Sequence, residues 1–167
     1  MALRIGRRGF LAGGGVAAAG LGALWLAGRG EPASAEMFEV SLTPDQWRRR
    51  LSPEQYRVLR EQGTERSGSS PLDREHRRGT FHCSGCDLPV FRSQDKYDSG
   101  TGWPSFVRPI RGNVATRPDN TLFMTRTEVH CPRCADHLGH VFDDRPPPTG
   151  QRWCMNGIAL RFVPARA

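Results

Sequence analysis

Hydrophobic and polar positions divide the chain into four stretches of different grain. Residues 11–27 are uncharged throughout, mostly Ala, Gly and Leu with Trp25. Between residues 43 and 63 the pattern is helical. Thr43-Pro44-Asp45-Gln46 and Ser52-Pro53-Glu54-Gln55 each read as a capping hydroxyl, a proline at the first helical position and a glutamine closing the box. Two short helices are predicted there. Trp47 and Leu51 are the inward anchors of the first, Tyr56 and Leu59 those of the second, and Gly63 is the stop. Residues 64–80 are polar, with Gly68, Ser69, Ser70 and Pro71, and read as an extended surface segment.

Beyond Thr80 the grain shortens. Apolar runs at 88–91, 121–124, 141–142 and 158–163 are separated by Gly, Pro, Asn and Asp. The run 158–163 alternates and is the best strand candidate. No helix-length period follows residue 65. The predicted fold is mainly β, a small antiparallel barrel or folded pair of sheets behind two short N-terminal helices.

A length of 167 residues suits one ordinary domain. The net charge of +7 includes 24 basic residues, of which Lys96 alone is a lysine. They are scattered, with no block of five or six in a row, so arginine richness reads as composition bias and nucleic acid is not an expected partner. Part of the charge belongs to the N-terminus. Arg4, Arg7 and Arg8 precede the uncharged stretch, and Ala33-Ser34-Ala35 follows it as a small-x-small cleavage pattern. That order is a secretory signal, and Arg7-Arg8-Gly9-Phe10-Leu11 resembles the twin-arginine export type. A retained membrane helix is the alternative, although 17 uncharged residues are short for a span. The expected organisation is a signal over 1–35, cleaved after Ala35, and a domain over 36–167 with its core at about 43–162. The expected destination is the periplasm or cell exterior, with membrane contact only through the signal. Without the four arginines and one glutamate of residues 1–35, the remainder carries +4.

Five cysteines divide as four plus one. Cys83-Ser-Gly-Cys86 and Cys131-Pro-Arg-Cys134 form two knuckles, and Cys154 stands alone. Two such knuckles supply four thiolates at tetrahedral corners, the donor set of one structural zinc ion. The 44 residues between them exceed the separation in a compact zinc ribbon, so the site pins two distant parts of one domain. Disulfides and a thioredoxin-like redox couple are the alternatives, although neither pair opens a predicted helix. Cys154 lies in Arg152-Trp153-Cys154-Met155-Asn156-Gly157, where Arg152 and Asn156 share its side of an extended chain. A nearby cation favours the thiolate, while a lone cysteine also occurs as a small buried hydrophobe. His137 and His140 follow the second knuckle and are free for acid–base work once four cysteines serve the metal. Gly102-Trp103-Pro104-Ser105-Phe106 is an aromatic turn, with Trp103 either core or substrate wall.

Taken together these segments resemble a known family. The run 96–106, then Thr127-Glu128-Val129, residues 137–144 and 152–156 are similar to the successive signatures of B-type methionine sulfoxide reductases. The flanking Cys-x-x-Cys pairs resemble those of its zinc-bearing members, and the likeness runs from about Thr43 to Phe162. The resemblance implies reduction of methionine-R-sulfoxide in oxidised proteins and peptides by a monomer. Cys154 is the implied nucleophile, passing through a sulfenic acid. His137 and His140 are the implied proton donors, Asn156 an oxygen holder, Trp103 the wall for the S-methyl group and Arg152 the thiolate's support, paired with Asp143 or Asp144. Many relatives carry a resolving cysteine where this chain has Thr101, so a thioredoxin-like or other external thiol is the expected reductant. Recruitment of a zinc cysteine is the second option. Trp153 and Arg145 also depart from the common pattern. A zinc-stabilised, non-catalytic binding module is the competing class, and it leaves Cys154 and the paired histidines unexplained.

Overall fold

The computed structural model describes residues 37–121, 125–144 and 146–166. The export signal expected over 1–35 lies outside the described residues, as do Arg145 and most of the apolar run at 121–124.

Both helices form as the capping pattern dictates. In α1 (Pro44–Arg50) the Thr43 hydroxyl accepts from Gln46 N at 3.3 Å, and the Gln46 side chain accepts from Thr43 N at 2.8 Å. In α2 (Pro53–Arg60) Ser52 and Gln55 repeat the exchange at 3.1 Å each way. Satisfying orphan N–H groups in this way lets helices of two turns persist on a protein surface. Trp47, Leu51 and Leu59 are buried as expected, together with Val58, while Tyr56 stays half-buried under Arg48. The stop is not at Gly63. The chain turns left-handed at Gln62, φ 55°, and Gly63 N–H then donates to Arg57 O at 2.9 Å.

The body is two antiparallel sheets, in agreement with the predicted class. The smaller has the order β2-β1-β9, from β1 (Gly79–Cys83), β2 (Pro89–Arg92) and β9 (Leu160–Pro164). The larger has the order β3-β4-β8-β7-β6-β5. It comprises β3 (Lys96–Tyr97), β4 (Ser105–Phe106), β5 (Ala115–Asp119), β6 (Arg126–His130), β7 (His137–Phe142) and β8 (Arg152–Met155). Phe106 joins the sheets, stacked 4.3 Å from Phe91 and edge-on at 5.0 Å to Phe81. All three rings are fully buried, and each contributes on the order of 2–3 kcal/mol through removal from water.

Two local expectations are corrected. The segment after residue 64 is not simply surface: Glu65 is buried, and Pro71–Arg74 forms a 3-10 turn capped by Ser70. The strand expected over 158–163 begins at Leu160, because Gly157–Ala159 is a 3-10 turn. Strand β5 carries Pro118 and little apolar character; it forms because it is the edge strand, where a missing N–H is tolerated.

Candidate active site and metal centre

Strands β1 and β6 run into the two knuckles, and the knuckles share one hydrogen-bond plan. Asp87 N–H donates to Cys83 O, and Ala135 N–H to Cys131 O, both at 2.9 Å. The residue after each second cysteine is left-handed, with φ of 63° at Asp87 and 64° at Ala135. Loops closed this way hold two sulfurs on one side. The four Sγ atoms lie within 4.8 Å of one another, with Cys83–Cys134 at 3.7 Å and Cys86–Cys131 at 3.4 Å. Metal–sulfur bonds of about 2.3 Å in a tetrahedron require sulfurs about 3.8 Å apart. The cluster therefore fits one metal ion, and none of the five cysteines is in a disulfide. Behind it, Arg60 donates to Asp136 Oδ1 and to Cys134 O, both at 2.8 Å, tying α2 to the second knuckle.

Cys154 takes no part in that cluster. It sits in β8, and its neighbours follow from register. Ser105 of β4 lies directly opposite on one side and His140 of β7 on the other. Outward from these, Tyr97 faces Ser105, Glu128 faces His140 and Arg117 faces Glu128. Paired residues project from the same face of a sheet. Six strands thus present one row: Tyr97, Ser105, Cys154, His140, Glu128 and Arg117.

A cavity of ≈ 170 Å³ opens over Cys154, walled by Trp103, Phe142, Arg126, His140, Met155 and Asn156. Its apolar side is Trp103 and Phe142. Arg152 stacks on Phe142 at 4.5 Å and donates to Asp144 Oδ2 at 2.6 Å, selecting Asp144 over Asp143. Two hydroxyls, those of Thr101 and Ser105, meet the thiol, and Ser99 Oγ links them at 2.8 Å and 2.7 Å.

His140 lines the cavity, whereas His137 stands behind it with ring centroids 5.2 Å apart. Each imidazole meets a carboxylate. His137 Nδ1 pairs with Glu128 Oε1 at 2.8 Å, and His140 Nε2 with Asp119 Oδ2 at 2.8 Å. Asn156 differs from expectation in its freedom. Its Oδ1 accepts from Glu65 N at 3.0 Å and its Nδ2 donates to Leu138 O at 3.4 Å, so only one amide hydrogen remains for a ligand.

The electrostatics also differ from a pre-ionised thiolate. Burial pushes the Cys154 thiol above its ordinary value, against the Arg152 charge and the hydroxyls of Thr101 and Ser105. Burial likewise lowers the pKa of His140, with Asp119 opposing. The resting pair at neutral pH is therefore thiol and neutral imidazole.

Comparison with known proteins matches the SelR domain over residues 51–164. Peptide methionine sulfoxide reductase MsrB of Thiobacillus denitrificans is 53% identical over 123 residues, covering 73% of this chain and 93% of the relative. MsrB of Pseudomonas putida (strain W619) is 51% identical over 130 residues, 77% of this chain and 97% of its own. The chloroplastic reductase B1 of Arabidopsis thaliana is 49% identical, covering 74% of this chain and 61% of its own. The chain belongs to the MsrB family of peptide methionine sulfoxide reductases.

Three residues of this MsrB-family site escaped the sequence reading. Glu65, 4% exposed, accepts from Gly157 N at 2.5 Å and Ile158 N at 3.0 Å, while its own carbonyl accepts from Trp103 Nε1 at 3.2 Å. One residue thus ties Trp103, Asn156 and the turn after Cys154 together. Glu128 appeared in a signature without a role. Burial alone would raise its pKa, but hydrogen bonds from His137 and Arg117 outweigh that and hold it at about 2. Asp119 lies in a stretch whose polarity reads as loop. Only pairing of β5 with β6 brings it to His140.

Proposed function

We propose that the protein reduces methionine-R-sulfoxide in peptides and proteins to methionine, with Cys154 as nucleophile. One observation carries the reading: the single thiol outside the metal cluster lies under a small apolar-walled cavity, directly across from a buried neutral imidazole. Trp103 and Phe142 receive the S-methyl group, and Asn156 turns its remaining amide hydrogen toward the sulfoxide oxygen. Cys154 Sγ attacks the sulfoxide sulfur as its proton passes to His140. His140 returns the proton to the oxygen, which ends on Cys154. The methionine sulfur gains two electrons, the Cys154 sulfur loses two, and the products are methionine and Cys154 sulfenic acid. His137 supports His140 from behind. Arg152, braced by Asp144, stabilises negative charge as it develops on the thiol sulfur.

Two equivalents of an external thiol, or one thioredoxin-like dithiol, then restore Cys154 and release a disulfide and water. Thr101 in place of a resolving thiol supports this direct route, as does the commitment of the other four cysteines to metal. Zinc is the ion that suits a closed set of four thiolates; bound there, it cross-links the turns after β1 and β6. Membership of the MsrB family supports selection of the R epimer. We further propose that residues 1–35 are a twin-arginine signal and that the protein works in the periplasm or outside the cell. A non-catalytic zinc module leaves the Cys154 cavity without a use.

The decisive test is Cys154→Ser. Reduction of an R-sulfoxide peptide is expected to vanish while metal content and thermal unfolding stay at wild-type values. Retained turnover in that variant removes Cys154 as nucleophile.

A further inference from the structure

His140 has two ring nitrogens, and one of them is already taken. At the end of β5 the Asp119 carboxylate accepts four hydrogen bonds. Thr121 donates its N–H at 2.9 Å and its hydroxyl at 2.7 Å to Oδ1, while Arg126 Nη2 at 2.7 Å and His140 Nε2 at 2.8 Å share Oδ2. The two side chains are 10% and 11% exposed. A carboxylate so surrounded stays ionised, and its pKa lies below the ordinary range, chiefly through Thr121. An ionised carboxylate only accepts hydrogen bonds, so His140 Nε2 carries the hydrogen. A neutral imidazole has one N–H, which leaves Nδ1 with its lone pair.

We infer that Asp119 is a positioning residue for sulfoxide reduction: it locks His140 in the Nε2–H tautomer, leaving Nδ1 as the nitrogen that exchanges a proton in the Cys154 cavity. The inference rests on the reading of His140 as the acid–base group. Arg126 has a complementary part. It donates to the same carboxylate oxygen and lines the cavity itself, so Asp119 cannot rotate away from the imidazole without losing both partners. The titratable and charged groups facing His140 are Asp119, Arg126, Glu128, His137 and Cys154. Among them only Asp119 bonds directly to the ring.

The test combines ring nitrogen-15 NMR of His140 with single-turnover kinetics of Asp119→Ala, Asp119→Asn and Asp119→Glu in the metal-loaded protein. Wild type is expected to show a single Nε2–H tautomer at pH 8, and Asp119→Ala a mixture. The rate of Cys154 oxidation by an R-sulfoxide peptide should fall roughly 10–100-fold in the Ala and Asn variants, as for other outer partners that orient a working histidine. Peptide affinity should remain within about threefold, a change of less than 1 kcal/mol. Asp119→Glu should recover part of the rate. Asp119 raises the pKa of His140, so its removal should shift the acid limb of the pH–rate profile to lower pH, a change that mere loosening would not produce. An Nδ1–H tautomer in wild type, an unchanged ring spectrum in Asp119→Ala or an unmoved acid limb overturns the inference. A changed ring spectrum with an unchanged rate also overturns it, by removing His140 from proton transfer. Turnover by Cys154→Ser sinks the nucleophile reading separately and leaves the ring spectrum untouched.

Discussion

Glu65→Ala removes the one side chain that caps the turn after Cys154. In the folded protein its carboxylate accepts from Gly157 N and Ile158 N, and Gly157 and Asn156 are buried beside it. Truncation leaves two backbone donors without partners, each worth about 1–3 kcal/mol when buried. A cavity of ≈ 430 Å³ lined by Glu65, Gly157 and Ile158 gives water a route to those donors. The lower half of the range therefore applies, about 2–4 kcal/mol in total. A domain of roughly 130 residues unfolds with an entropy of about 0.27 kcal/mol/K, so the melting temperature should drop by about 10 °C. Urea unfolding at 25 °C, followed by tryptophan fluorescence, measures the loss directly. Activity should fall further than stability explains, because the main chain at 65 also holds Trp103 and Asn156. At 10 °C, with the variant fully folded, KM for a sulfoxide peptide should rise. A variant within about 0.5 kcal/mol of wild type, the noise of an ordinary surface change, refutes the idea that this carboxylate holds the turn.

Three further outcomes follow from geometry already described. Glu128 has a folded pKa of about 2 against an ordinary value of 4.5, so its contribution of about 3 kcal/mol is complete above pH 4.5 and is lost as pH falls through about 2. Urea midpoints for wild type and Glu128→Gln should thus differ most near neutral pH and converge toward pH 2; a constant difference contradicts the ion-pair account. Thr101→Cys should let the oxidised enzyme form an intramolecular disulfide with Cys154, because Thr101 already contacts that thiol. After one equivalent of substrate, intact mass should fall by two hydrogens, whereas wild type should give a dimedone adduct on Cys154. Gly139→Ala should reduce both stability and activity, since a Cβ there collides with the Cys154 carbonyl oxygen and comes within 2.9 Å of Met155 Cα. Normal unfolding and kinetics in that variant argue against tight approach of β7 to β8.

Local chemistry was legible wherever it was written in adjacent residues. The two capping boxes and the Cys-x-x-Cys turns depend on neighbours a few positions apart, and both appear in the structure. The isolated thiol was legible from the cysteine count, and His140 from its place after the second knuckle, but only pairing of β7 with β8 sets the two side by side. Less legible were features made by long-range closure. Glu65 meets Gly157 across 92 positions, and nothing in its polar surroundings signals burial. Asp119 reaches His140 only after β5, an edge strand with a proline, has paired with β6. Strand limits failed where a side chain from elsewhere intervened, as at Gly157–Ala159, which Glu65 caps into a turn. At Cys154 the sequence shows the neighbouring charge of Arg152 but not the burial that opposes it.

The row running from Tyr97 to Arg117 ties chemistry to assembly. Its neighbouring row holds Phe106, Trp153 and Val141, which pair across the same strands and point the other way. A slip of one residue between any two strands would exchange the rows, sending Cys154 toward the apolar interior and Trp153 toward solvent. No misregistered sheet can therefore be both well packed and active. Hydrophobic burial acts as a proofreader for the reaction centre, and recovery of turnover during refolding becomes a direct report that the strands have found their proper alignment.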